Sequence, residues 1–103
     1  MVCADLTPDA VAGSWEESTP THELADGVFV ACDVADEAQV SAAIALAVST
    51  WGRLDVMFNN AGIIGAVGSI ADTDGAAWRK SIDVLLNSVF YGCKHAAKVM
   101  IPQ

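Results

Sequence analysis

The sequence predicts an α/β chain, part of a doubly wound parallel sheet, and three observations carry that expectation. Apolar β-prone runs alternate with stretches of helical periodicity, without repeats or a second domain. One run, Leu54-Asp55-Val56-Met57-Phe58, is nearly all apolar, as a strand must be when helices cover both faces of its sheet. It runs straight into Asn59-Asn60-Ala61-Gly62, and strand ends of open parallel sheets are where ligands bind.

The elements follow in order. Met1 to Leu6 is a short β-prone run closed by Asp5, and Thr7-Pro8-Asp9 reads as the turn after it. A weak helical stretch around Asp9 to Val11 precedes a Ser, Thr, Glu and Pro-rich surface connection from Gly13 to Gly27. Val28-Phe29-Val30-Ala31-Cys32 is the next β run. Asp36-Glu37 places acidic charge at a helix start, and Val40, Ile44, Ala47, Val48 and Trp51 recur at helical spacing until Gly52 stops the helix. After the strand at 54–58 and a loop over 63–70, Thr73 or Asp74 caps a long helix. Its apolar stripe is Trp78, Ile82, Leu85, Val89, Cys93, Ala96 and Met100, and Pro102 marks its end.

Composition narrows the function classes. A chain of 103 residues is one domain at most, and 53% hydrophobic with 17% charged residues is too apolar for disorder. Thirteen acidic against 5 basic residues, a net charge of -8, argue against nucleic acid or anionic lipid as a partner. No apolar run approaches the roughly 20 residues that cross a bilayer, and Met1-Val2-Cys3-Ala4-Asp5 lacks the basic start of a signal peptide. The expectation is a soluble, cytoplasmic chain. Cys3, Cys32 and Cys93 show no metal-ligand spacing and read as reduced, buried thiols. His22 and His95 are isolated, so no metal site is expected.

The tetrapeptide after Phe58 is the most specific signal. Asn side chains tie down backbone at a strand edge, and Ala-Gly leaves no bulk, so a flat ligand can approach the main chain closely. The bland alternative is a plain turn. With the strand before it and the helices around it, the motif resembles the short-chain dehydrogenase/reductase signature, and the resemblance runs through nearly the whole chain. It implies that residues 1–103 are a partial Rossmann-like NAD(P)-binding domain holding the second, third and fourth strands with flanking helices. No glycine-rich phosphate turn precedes the first strand here and no Tyr-x-x-x-Lys pair follows the long helix. The chain therefore reads as an internal piece of an oxidoreductase, with no catalytic residue of its own.

The resemblance also assigns cofactor contacts. Asp5 would accept hydrogen bonds from the adenosine ribose, the alternative being that it starts a turn. Because Leu6, Thr7 and Pro8 follow it with no Arg or Lys, NAD is expected rather than NADP. Asp33 and Val34 would lie against adenine, or Asp33 would be a helix cap. Asn60, Ala61 and Gly62 would line the ribose side. Family members move hydride between nicotinamide and an alcohol or ketone, so a small-molecule alcohol or ketone is the implied substrate. Where the family places an Asn in the long helix, after Asp83-Val84, this chain has Leu85, and Asn87 lies about 200° round an α-helix from that position. Tyr91 and Lys94, three apart instead of four, read as packing or interface residues. In related enzymes this helix packs on a second copy, which implies a homo-oligomer through helix 74–101, with Trp78, Tyr91 and Ala96-Ala97 as candidate contacts.

The family strand order is 3-2-1-4-5-6. Strands two and four would then each face an empty slot, and the isolated chain is expected to be unstable, rearranged or aggregated.

Overall fold

The computed structural model describes residues 1–6 and 27–103. The expected turn at Thr7 to Asp9, the weak helix after it, the connection up to residue 26, and His22 lie outside the described residues.

Two strands form the sheet. β1, Val2–Asp5, pairs in parallel with β2, Val28–Ala31, in the register Val2 to Val28 through Asp5 to Ala31. The ladder is extended at both ends, where Val28 N donates to Met1 O and Cys32 N donates to Asp5 O, each at 2.8 Å. Parallel pairing agrees with the expected second and third strands. The expected fourth strand does not join them: Leu54 to Phe58 forms no ladder. An apolar run becomes a strand only when a neighbour supplies backbone partners, and no described segment lies paired between it and β1. Leu54 instead exchanges both backbone bonds with the Gln103 carboxamide, N to Oε1 and Nε2 to O, each at 2.8 Å. Val56 and Phe58 stay 76% and 79% exposed, where burial on both faces was expected.

Helix α1, Glu37–Trp51, has the boundaries its sequence signals require. The Asp36 carboxylate accepts from Ala38 N and Gln39 N, and its second oxygen accepts from Gln39 Nε2, which gives a side-chain N-cap reinforced by the Gln39 carboxamide. Gly52 ends the helix at φ 78°, a left-handed conformation, with its N–H donating to Val48 O.

The long helix is in three parts: α2, Gly75–Ile82, capped by Asp74 through Ala77 N; a π-helical turn, Asp83–Asn87; and α3, Ser88–Met100. In the wider turn Ser88 N–H donates to Asp83 O, and the Ser88 hydroxyl takes the Val84 carbonyl at 2.6 Å. Of the expected stripe Ala96 is buried and Ile82 half-buried, and the other five positions are corrected to exposed. The buried line is Ser81, Val84, Ser88, Gly92 and Ala96, small residues that let neighbouring segments come close, whereas Trp78 is 54% and Leu85 45% exposed. α3 packs on α1, with Cys32, Val40, Ile44 and Ala96 as the buried cluster and Val34, Leu54, Met57, Tyr91 and Val99 around it. Glu37 Oε1 joins the helices through Lys94 Nζ at 2.7 Å and His95 Nε2 at 2.9 Å.

Cys32 is buried, as expected for a packing thiol. Cys93 is exposed, which corrects its expected burial, because it lies beside the buried line and not on it. Among the described residues no helix is long and apolar enough to cross a membrane, and no group of His, Cys, Asp or Glu is placed to share a metal ion.

Candidate functional site

Parallel strands deliver their carboxyl ends to one edge, and β1 and β2 do so side by side. Asp5 ends β1, and its Oδ1 accepts from Leu6 N at 2.7 Å. The chain leaving β2 turns at Asp33, whose Oδ1 accepts from Ala35 N at 3.0 Å. Asp33 N in turn donates to Gln39 Oε1 at 2.9 Å, so the carboxamide that bonds to the Asp36 cap also holds this turn. Each acid thus has one carboxylate oxygen held by local backbone and a second available to a ligand.

The third segment is the turn after Phe58. The backbone of Gly92 in α3 lies under it: a Cβ there would collide with Asn59 Oδ1 and stand 2.8 Å from Met57 Cε. Asn59 Nδ2 also reaches Cys93 Sγ at 3.7 Å. Further along, Gly65 at φ 79° sits on Ser81, whose buried hydroxyl accepts from Ala66 N at 2.7 Å and donates to Ala77 O at 2.8 Å. Gly62 and Gly65 lie along Leu85, with Cδ2 3.7 Å and Cδ1 3.6 Å from where their Cβ atoms would be.

These segments enclose a cleft of about 220 Å³. Ala4 and Asp5 line it from β1 with Leu6 just beyond, Asp33 and Val34 from the turn after β2, and Ala61 to Ile63 from the third segment. Lys80 and Val84 line it from the long helix. Five of the six residues singled out in sequence, Asp5, Asp33, Val34, Ala61 and Gly62, therefore meet in one place; Asn60 is exposed and outside the lining. Ala4, Leu6, Cys32, Ile63, Lys80 and Val84 were not foreseen as lining. The one available signal was the four-residue spacing of Lys80 and Val84, which puts them on one helix face.

The donor set fits the adenosine part of a dinucleotide. Two carboxylate oxygens are able to accept from hydroxyls or an amine, and Leu6, Val34, Ile63 and Val84 offer apolar walls to a flat ring. Electrostatics here are acidic: burial, then the charges of Asp33 and Asp36, push the Cys32 thiol above its ordinary value and keep it protonated. Tyr91 packs against the core and Lys94 pairs with Glu37, so neither belongs to the cleft. Asn87 is engaged with Asp83, Nδ2 to Oδ1 at 2.9 Å, and does not line it either.

Comparison with known proteins identifies the family and the fold. The family profile described as enoyl-(acyl carrier protein) reductase matches residues 1–103. Borneol dehydrogenase, mitochondrial, of Lavandula x intermedia is 52% identical over 75 residues, 72% of this chain and 29% of that protein. Short-chain dehydrogenase reductase ATA1 of Arabidopsis thaliana is 51% identical over 79 residues, 77% of this chain and 29% of that protein. The chain thus spans less than a third of the length of these relatives. Among solved structures, levodione reductase superposes with a TM-score of 0.85 at 30% identity, covering 99% of this chain and 40% of its own. A short-chain dehydrogenase/reductase from Burkholderia phymatum, in complex with NAD, gives 0.85 at 30% identity over 99% of this chain and 35% of its own. The chain belongs to the short-chain dehydrogenase/reductase family of oxidoreductases.

Proposed function

We propose that these residues form the adenosine side of the nucleotide site of an oxidoreductase that moves hydride between a nicotinamide cofactor and a secondary alcohol or ketone. The observation that carries this reading is the meeting of Asp5, Asp33, Val34, Ala61 and Gly62 around one cleft. Bound nicotinamide dinucleotide supplies the hydride chemistry. This chain's residues bind and orient it: Asp5 takes the ribose hydroxyls, Asp33 the adenine amine, and Ala61-Gly62 let the ribose approach the main chain. An acid at the strand end disfavours a ribose phosphate, which makes NAD the preferred cofactor.

The 103 residues alone do not turn over substrate, because they contain no Tyr-x-x-x-Lys pair and Leu85 stands where the family has Asn. They also contain no glycine-rich phosphate turn, so calorimetry with NAD should give no micromolar binding. The adenosine half is tested separately by titrating ¹⁵N-labelled chain with adenosine. Amide shifts concentrated at Asp33, Val34, Ala61 and Gly62 support the reading; shifts that are absent or scattered overturn it.

A second reading has its own observation. Along the long helix Trp78, Leu85, Leu86, Val89 and Phe90 are exposed by 54, 45, 61, 37 and 60%. Such an apolar face suits a non-catalytic scaffold that associates with a relative or a second copy through helix 74–101. Of the contacts expected from sequence Trp78 is exposed and Ala97 half-buried, whereas Ala96 is buried and Tyr91 packs on the core. Co-elution with an intact relative, lost on replacing Leu86 and Phe90 by Ser, tests it.

A further inference from the structure

The strand-end sequence after Asp5 carries no base, yet the folded cleft does. Lys80 comes from the last turn of α2 and lines the cleft together with Val84, one helical turn on. Arg53 is committed to Asp55 and Lys94 to Glu37, whereas the Lys80 ammonium has no hydrogen bond or ion pair among the described residues. It is the one base among the lining residues of a cleft that also holds two carboxylates, Asp5 and Asp33.

We infer that Lys80 sets how strictly this cleft rejects a phosphorylated adenosine ribose, an inference that rests on the nucleotide reading above. Asp5 and Asp33 alone repel a ribose phosphate by like charge. An unpaired ammonium on a flexible four-carbon stem attracts the same phosphate and offsets part of that repulsion. Lysine tempers the discrimination without reversing it, since a mobile point charge lacks the bidentate grip with which arginine clamps phosphate. The preference for the unphosphorylated ribose therefore comes from two elements distant in sequence, the end of β1 and the last turn of α2.

The test compares adenosine with adenosine 2′-phosphate on the 103-residue chain, by amide shift titration at matched ionic strength. In the unaltered chain the phosphate should weaken binding by no more than about threefold, and in Lys80→Met by about tenfold or more, the size of one partly solvated charge contact. Lys80→Glu should widen the ratio further, Lys98→Met should leave it as in the unaltered chain, and added salt should narrow the differences. A ratio unchanged in Lys80→Met, with adenosine still shifting Asp33, Val34, Ala61 and Gly62, overturns the role of Lys80 and leaves the nucleotide reading standing. Failure of adenosine itself to shift those amides overturns both.

Discussion

Replacing Gly92 by alanine sets two opposed effects against each other, and the structure says which wins. In an open helix position Ala stabilises over Gly by about 1 kcal/mol. At Gly92 the new methyl collides with Asn59 Oδ1, and stands 2.8 Å from Met57 Cε and 3.0 Å from Asn59 Cγ. The Met57 tip is flexible and yields at small cost. The Asn59 carboxamide is half-buried between the helix and the turn, so relieving the clash moves the turn that leads to Ala61 and Gly62. Forcing a methyl into such a place costs about 1 to 3 kcal/mol, which leaves a net loss of about 1 kcal/mol once the helix gain is subtracted.

The decisive measurement is a double-mutant cycle with Asn59→Ala, read by urea denaturation of the 222 nm helical signal. With the carboxamide gone, Gly92→Ala should stabilise by about 1 kcal/mol, giving a coupling near 2 kcal/mol. If Gly92→Ala stabilises equally in both backgrounds, α3 does not hold the Asn59 turn and the close approach is wrong.

Three further outcomes follow from single features. Gly52→Ala forces a side chain into the left-handed region at φ 78° and should cost about 1 kcal/mol, although nothing lies within 4 Å of its Cβ, whereas Gly75→Ala, with only ordinary contact to Arg79, should be neutral or stabilising by thermal melting. Ser81→Ala strands the Ala66 N–H and should cost about 1 to 2 kcal/mol, with faster hydrogen exchange confined to residues 63–70. The Lys94 and His95 hydrogen bonds hold the Glu37 carboxyl below its ordinary 4.5, and Gln39 with the helix amides holds Asp36 below 3.8. Both folded values are depressed, so their contributions are complete above the unfolded values and are lost as the pH falls through the folded ones. A stability profile from pH 7 downward should drop on the acid side of 4.5, and Glu37→Gln should shallow that drop.

What was legible in sequence was whatever is decided locally. Asp36, Gly52 and Asp74 terminate helices through bonds to their own neighbours, so side-chain chemistry and spacing suffice to read them. β1 and β2 were readable as short β-prone runs bounded by turn signals, and each finds its ladder partner in the other. Leu54 to Phe58 was not, because strand formation depends on a partner that residue types cannot supply. The long helix misled for a related reason. Periodicity locates an apolar stripe but not which side meets other segments, and here the side with Ser81, Ser88, Gly92 and Ala96 does, since only small residues admit Asn59 and the Gly65 loop so closely. The π-turn at Asp83–Asn87 had no local signal beyond a serine able to cap its loosened carbonyl. At the cleft, Asp33 and the Ala61-Gly62 turn carry their own motifs, whereas Lys80 acquires meaning only when the helix folds across the strand ends.

The two anomalies of this chain, an apolar run without a ladder and a cleft assembled from distant pieces, have one physical origin. The walls of the cleft come from β1, the turn after β2, the Asn59 to Ile63 turn and the long helix, and the strand that would tie Leu54 to Phe58 to β1 is not among the described residues. What holds the third wall in place is instead a set of side-chain devices: Gln103 on Leu54, Gly92 beneath Asn59, and Ser81 on Ala66. Each is worth about 1 kcal/mol, against the 5 to 15 kcal/mol by which ordinary domains are stable. A ligand bridging Asp33 and Gly62 acts on the same equilibrium, since it binds only when the walls are together and stabilises them by about 2.7 kcal/mol at one hundred times its dissociation constant. On the proposed nucleotide reading, order in the Asn59 turn and occupancy of the cleft are one equilibrium seen from two sides, so Gly92 and Ser81, which do not line the cleft, should influence affinity through it.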